Sequence, residues 1–102
     1  WNLTHYAQKA FKEAGIDTGK SETPIIPLFI RDDIKALQIT HRLLEEGIFV
    51  NPVISPAVPK EDSLIRFSLM ATHTFEQLDF AILKTIAAFR QFDVIQSPIV
   101  KN

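Results

Sequence analysis

The sequence predicts an α+β fold. A small, three-stranded, mainly antiparallel sheet carries helices on one face as a two-layer sandwich, in the order α-β-α-β-β-α. Three observations predict it. Stretches with apolar residues at helical spacing alternate with short β-branched runs. Two of those runs are separated only by a proline-stiffened loop, which suits an antiparallel pair. The chain is 102 residues long, 46% apolar and 23% charged, near globular averages and enough for one core but not two. Residues 1–102 are therefore expected to form a single domain.

The first helix is "NLTHYAQKAFKEAG", with Leu3, Tyr6, Ala7, Ala10, Phe11 and Ala14 at helical spacing and Gly15 as its stop. "IDTGKSET" is turn chemistry. "PIIPLFIRD" is apolar and β-branched and reads as a strand. Pro27 cannot donate to a ladder, which places an edge or a bulge there. Asp32 or Asp33 can cap the second helix. In "DIKALQITHRLLEEG", Ile34, Leu37, His41 and Leu44 make one stripe, Ala36, Ile39 and Leu43 widen it, and Gly47 ends it. "IFVNPVI" is a second strand, again interrupted by a proline, Pro52. Residues 55–63 form a loop, and "LIRFSLMA" a third strand.

Thr74 followed by Gln77 has capping-box spacing and opens the last helix. Its stripe is Leu78, Ile82, Ile86 and Phe89, with Phe75, Ala81 and Thr85 beside it. No pattern is legible after Phe92. Strand 1 is expected beside strand 3, and the sheet face away from the helices is expected to be open.

Several function classes are disfavoured. The apolar runs are short and broken by Pro, Asp or Arg, well under the roughly 20 residues a membrane helix needs. With 11 basic and 12 acidic residues the net charge is −1 and no basic tract clusters, which argues against nucleic acid as a partner. Cysteine is absent, which excludes thiol chemistry and fits a cytoplasmic location. No signal-peptide pattern is present. The chain begins at Trp1, directly on a helical pattern, and is read as a fragment of a longer protein.

The third strand carries the chemical signal. Side chains alternate along a strand, so Ile65, Phe67, Leu69 and Ala71 face the core while Leu64, Arg66, Ser68 and Met70 face away. A charge inside an apolar run costs free energy unless something holds it. Arg66 is either an arginine facing water or one held out for an anion, since its fork grips a carboxylate through two parallel hydrogen bonds. The other polar residues read as structural. His73 and Thr74 stand at a helix entry, His41 is a half-buried packing residue, and His5 belongs to the first helix. Asp32-Asp33, Glu45-Glu46 and Glu61-Asp62 are solvated ends and loops. Ser55 and Ser68 have no base at a readable spacing. No metal-ligand spacing and no phosphate-binding glycine loop is present, so no catalytic residue is assigned.

"SETPIIPLF", "GIFVNPVISPAVP" and "LIRFSLMATHT" together resemble the C-terminal small domain of the α-oxoamine synthases, which are fold-type I enzymes that use pyridoxal phosphate (PLP). The group includes serine palmitoyltransferase, 8-amino-7-oxononanoate synthase and 2-amino-3-ketobutyrate CoA ligase. The likeness covers nearly the whole chain. It implies a decarboxylative condensation of an amino acid with an acyl-CoA, in a homodimer. It implies that Arg66 contacts the substrate carboxylate and that Pro56, Ala57, Val58 and Pro59 form an active-site loop. It also implies that PLP is bound mainly by a large domain of the same chain, whose lysine motif is absent here. A fragment of this kind is expected to be inactive alone. The alternative reading is a stand-alone ferredoxin-like ligand-binding or regulatory module.

Overall fold

The computed structural model describes residues 2–20, 23–69 and 74–96. The chain runs as helix α1 (Asn2–Glu13), strand β1 (Ile25–Phe29), helix α2 (Asp33–Glu45), strand β2 (Asn51–Val53), a 3-10 turn (Lys60–Asp62), strand β3 (Leu64–Ser68) and helix α3 (Phe75–Gln91). This is the predicted order. The strand order is β1-β3-β2, so β1 does lie beside β3. Both pairings are antiparallel, and the sheet expected to be mainly antiparallel is wholly so. β3 was predicted over 64–71; Met70 and Ala71 lie outside the described residues.

Register gives the sheet two unlike faces. Ile26 pairs with Phe67 and Leu28 with Ile65, and all four side chains are buried. The opposite face pairs Pro27 with Arg66 and Phe29 with Leu64 on one side, and Asn51 with Arg66 and Val53 with Leu64 on the other. Both strand prolines, Pro27 and Pro52, therefore stand on edge strands, where a missing N–H need not face a partner.

The helices cover the first face. α1 contributes Ala7 and Phe11, α2 contributes Ala36, Ile39 and Leu43, and α3 contributes Leu78, Ala81, Ile82, Ile86, Ala88 and Phe89. The Phe11 ring meets Phe67 edge to face, with centroids 5.1 Å apart, a favoured aromatic geometry. Thr74 caps α3 as predicted, its hydroxyl accepting from the Gln77 amide at 3.0 Å. Asp32, not Asp33, caps α2, accepting from the Lys35 amide at 2.9 Å.

All three helices end in the same way. Ile16 N–H donates to Phe11 O and Gly15 N–H to Lys12 O; Ile48 donates to Leu43 and Gly47 to Leu44; Val94 donates to Phe89 and Asp93 to Arg90. These are Schellman closures, each needing a left-handed residue just past the helix. Gly15 at φ 98, Gly47 at φ 79 and Asp93 at φ 62 supply it. Each closure returns an apolar residue beyond the helix, Ile16, Ile48 or Val94, to the core that the helix faces.

That geometry corrects two expectations. The stripe Ile34, Leu37, His41 and Leu44 does not face the core. Ile34 is 69% exposed and His41 is also exposed, its Nε2 3.5 Å from Glu45 on the next turn. The narrower set Ala36, Ile39 and Leu43 is buried instead, because the Leu43–Ile48 closure turns that side down. Leu3, Tyr6 and Phe75 are likewise largely outside. The Tyr6 ring meets Phe75 in a tilted arrangement with centroids 5.1 Å apart and its hydroxyl donates to Asp79 at 2.5 Å, which raises the phenol pKa above its usual 10.0.

Two substitutions test this account by urea unfolding. Phe11→Ala is expected to cost about 3–5 kcal/mol, the range for emptying a buried aromatic site. Asp93→Gly is expected to stabilise by up to about 1 kcal/mol, because glycine adopts the left-handed conformation without the Cβ penalty. A destabilised Asp93→Gly protein would show that the third closure is not limiting.

Candidate functional site

Arg66 sits in the middle of β3, and its side chain points away from the helices. Pro27 stands opposite it on β1 and Asn51 on β2. It lines a shallow groove of about 310 Å³ together with Thr23, Ile25, Pro27, Val53 and Leu64. The walls are apolar and the charge is single. Among the described residues Arg66 has no hydrogen-bonding or ion-pair partner. Two other arginines are engaged. Arg42 meets Glu45, Glu46 and Gln91, and Arg31 meets Asp17, Glu61 and Asp62. A planar cation between apolar neighbours, with its fork unused, is suited to a carboxylate or another planar anion. The face alternation read from the sequence thus places Arg66 correctly.

The Pro56–Pro59 loop joins β2 to β3 and so leaves and re-enters the sheet at Val53 and Leu64, both groove residues. Pro56, Ala57 and Pro59 are exposed and Val58 is half-buried. Two backbone bonds tie it to its flanks, from the Ala57 amide to the Ile54 carbonyl at 3.0 Å and from the Asp62 amide to the Pro59 carbonyl at 2.8 Å. Its first neighbour, Ser55, is held from outside. The Ser55 amide donates to Asp33 Oδ1 at 3.3 Å and the Ser55 hydroxyl donates to Asp33 Oδ2. The serine read as having no base is therefore an anchor.

Beyond the loop, Arg31 reaches the 3-10 turn. Its guanidinium donates to the Glu61 carbonyl at 3.3 Å and lies 3.4 Å from the Asp62 carboxylate. It also binds Asp17 at 2.8 Å and lies 4.8 Å over the Phe29 ring. The Asp17 carboxyl is held below its usual range, first by the Gly19 N–H and then by Arg31. Sequence reasoning singled out neither Arg31 nor the loop-holding role of Asp33. The available signal was a short charged run, "RDD", at the end of an apolar strand.

The remaining candidates take structural places. Glu46 pairs with Arg42 and Lys84. Thr74 is a cap, and His73 lies outside the described residues. Among the described residues no group of three or more His, Asp or Glu side chains is arranged to hold a metal.

Comparisons with known proteins agree with the fold. The family model for aminotransferase class I and II matches residues 1–84. The chain is 52% identical to a serine palmitoyltransferase from Sphingobacterium spiritivorum, over 92% of this chain and 24% of that protein. It is 41% identical to an 8-amino-7-oxononanoate synthase from Symbiobacterium thermophilum, over 93% of this chain and 24% of that protein. It superposes with a TM-score of 0.80 on a serine palmitoyltransferase from S. paucimobilis solved with PLP and myriocin bound, at 30% identity, covering 93% of this chain and 24% of the other. The chain thus spans about a quarter of the length of the curated relatives it matches. These relatives bear out the resemblance read from the motifs.

The Asp17 contact predicts a pH dependence. The folded state holds the Asp17 pKa below its usual 3.8. Its contribution to stability is therefore present above that value and is lost as pH falls through the folded-state value. In acid titrations followed by circular dichroism, Asp17→Asn should show a shallower loss of stability below about pH 4 than the parent. Superimposable curves would remove Asp17 from the account.

Proposed function

Since the chain belongs to the aminotransferase class I and II family, we propose that it is the C-terminal small domain of an α-oxoamine synthase. The intact enzyme condenses an amino acid with an acyl-CoA, releasing CoA and carbon dioxide. The observation that carries the reading is Arg66, an arginine without a protein partner among the described residues, set between apolar side chains on the sheet face that the helices leave open.

In this reading Arg66 binds the carboxylate of the amino-acid substrate through its two-pronged guanidinium. Ile25, Pro27, Val53 and Leu64 exclude water around that contact once the large domain of the same chain closes over the groove. Exclusion of water strengthens the charge-assisted bonds. The contact fixes the amino acid in one orientation, which is the form of catalysis a positioning arginine supplies. The Pro56–Pro59 loop borders the same groove and shapes its entrance.

The residues of the groove do not fit PLP itself. They include no lysine and no carboxylate, so the cofactor's binding groups belong to the large domain. When bound, PLP supplies the electron sink for charge at the amino-acid α-carbon. The same reading places the enzyme in the cytoplasm as a homodimer; among the described residues no helix is long and apolar enough to cross a membrane.

With L-serine and palmitoyl-CoA, the pair that the name of the Sphingobacterium relative points to, the intact enzyme should release labelled carbon dioxide from the carboxyl-labelled amino acid only when the acyl-CoA is supplied, with one free CoA thiol per carbon dioxide. Arg66→Ala should raise KM for the amino acid roughly 10- to 100-fold, the worth of a charged hydrogen-bonded pair. KM for the acyl-CoA should stay within about twofold, and Arg66→Lys should fall between because the planar fork is lost. Equal effects on both substrates would contradict the carboxylate role.

A further inference from the structure

The connection between β1 and α2, together with the first residue of α2, grips both ends of the segment that runs from β2 to β3. At the near end, Asp33 accepts from both the amide and the hydroxyl of Ser55. At the far end, Arg31 donates to the Glu61 carbonyl and meets the Asp62 carboxylate. The backbone adds a third tie, because the amides of Ile30 and Arg31 both donate to the Ser63 carbonyl, at 3.0 and 2.8 Å.

Between these anchors the segment holds itself by short-range backbone bonds, Ala57 to Ile54, Asp62 to Pro59 and Ser63 to Lys60, which do not fix its place on the sheet. Pro56 and Pro59 lack N–H donors, and most of the loop is exposed. The anchoring side is built at a cost. Arg31 stands at φ 65, a conformation that disfavours any residue with a Cβ. Such backbone persists where the surroundings over-determine it, and here Asp17, Asp62, the Glu61 carbonyl and the Phe29 ring all bear on one side chain.

We propose that Arg31 and Asp33 are positioning residues for the Pro56–Pro59 loop, holding it at both ends from one short connection so that its place beside the Arg66 groove is set before substrate arrives. The mechanical part stands on the contacts alone. Its consequence for substrate rests on the reading of the loop as an active-site element.

Hydrogen–deuterium exchange over residues 54–63 in the intact enzyme tests the mechanical part, with KM and kcat for L-serine measured on the same proteins. The variants are Asp33→Ala, Asp33→Asn, Ser55→Ala and Arg31→Gly. Arg31→Gly deletes the guanidinium while relieving the left-handed backbone, so a folding defect does not mask the outcome. Exchange over 54–63 should quicken about tenfold in Asp33→Ala and Arg31→Gly while β3 is unchanged. KM for L-serine should rise about tenfold with kcat within about threefold, since a displaced loop loosens substrate placement. Asp33→Asn, which keeps one acceptor, should lie between. Adding Ser55→Ala to Asp33→Ala should cost nothing further, as for two ends of one contact. Unchanged loop exchange, or exchange that quickens equally in β3, overturns the positioning role. Faster loop exchange with an unmoved KM leaves the clamp standing and overturns the assignment of the loop to the active site.

Discussion

A left-handed residue just past each helix bends the chain back, so that an apolar side chain outside the helix rejoins the core that the helix faces. This happens at Gly15, Gly47 and Asp93, and much of the covered face follows from it. The closure fixes where the helix stops and which side of its last turn is buried. Phe11, Leu43 and Phe89, the residues chosen in this way, are all fully buried. Phe11 then meets Phe67 on β3, so the helix end and the central strand share one contact. The two carbonyls satisfied at each end would otherwise be orphaned beside an apolar layer.

This also explains what was legible in the sequence and what was not. Period, β-branched composition and turn and cap signals identified all six main elements, a proline-stiffened loop suggested the antiparallel β2–β3 pair, and alternation gave the inward face of β3. Period failed on α2, where apolar residues cover more than one stripe. Bulk favoured Ile34, Leu37 and Leu44, but burial follows Ala36, Ile39 and Leu43. Hydropathy summed around a helix cannot choose between two such faces. The deciding information lay outside the helix, in Gly47 followed by Ile48. The same logic was hidden at Asp93, because an aspartate is a less conspicuous stop than a glycine.

On the open side, the alternation of β3 was enough to place Arg66, since a strand offers only two directions. What the groove is made of depended on register. Leu64 is a neighbour in sequence, but Ile25, Pro27 and Val53 come from β1 and β2. The anchors of the loop were harder still. Arg31 and Asp33 meet their partners across 14 to 31 residues of chain, and no local pattern marks such a pair. A charged run after an apolar strand reads as solvated until tertiary structure shows what it holds. The site side of this domain is thus assembled from three strands and one short connection, whereas its covered side repeats a single local rule.

The two edge prolines carry a consequence for the molecule among its own kind. β1 and β2 bound the described sheet, and each holds a proline in its ladder, Pro27 and Pro52. A strand from another molecule that tried to extend the sheet at either margin would meet a rung with no donor. Edge strands are the usual starting point for uncontrolled stacking of sheets, and proline is one of the residues that blocks it. With both margins blunted, a sheet whose one face the helices leave uncovered does not invite aggregation from its sides.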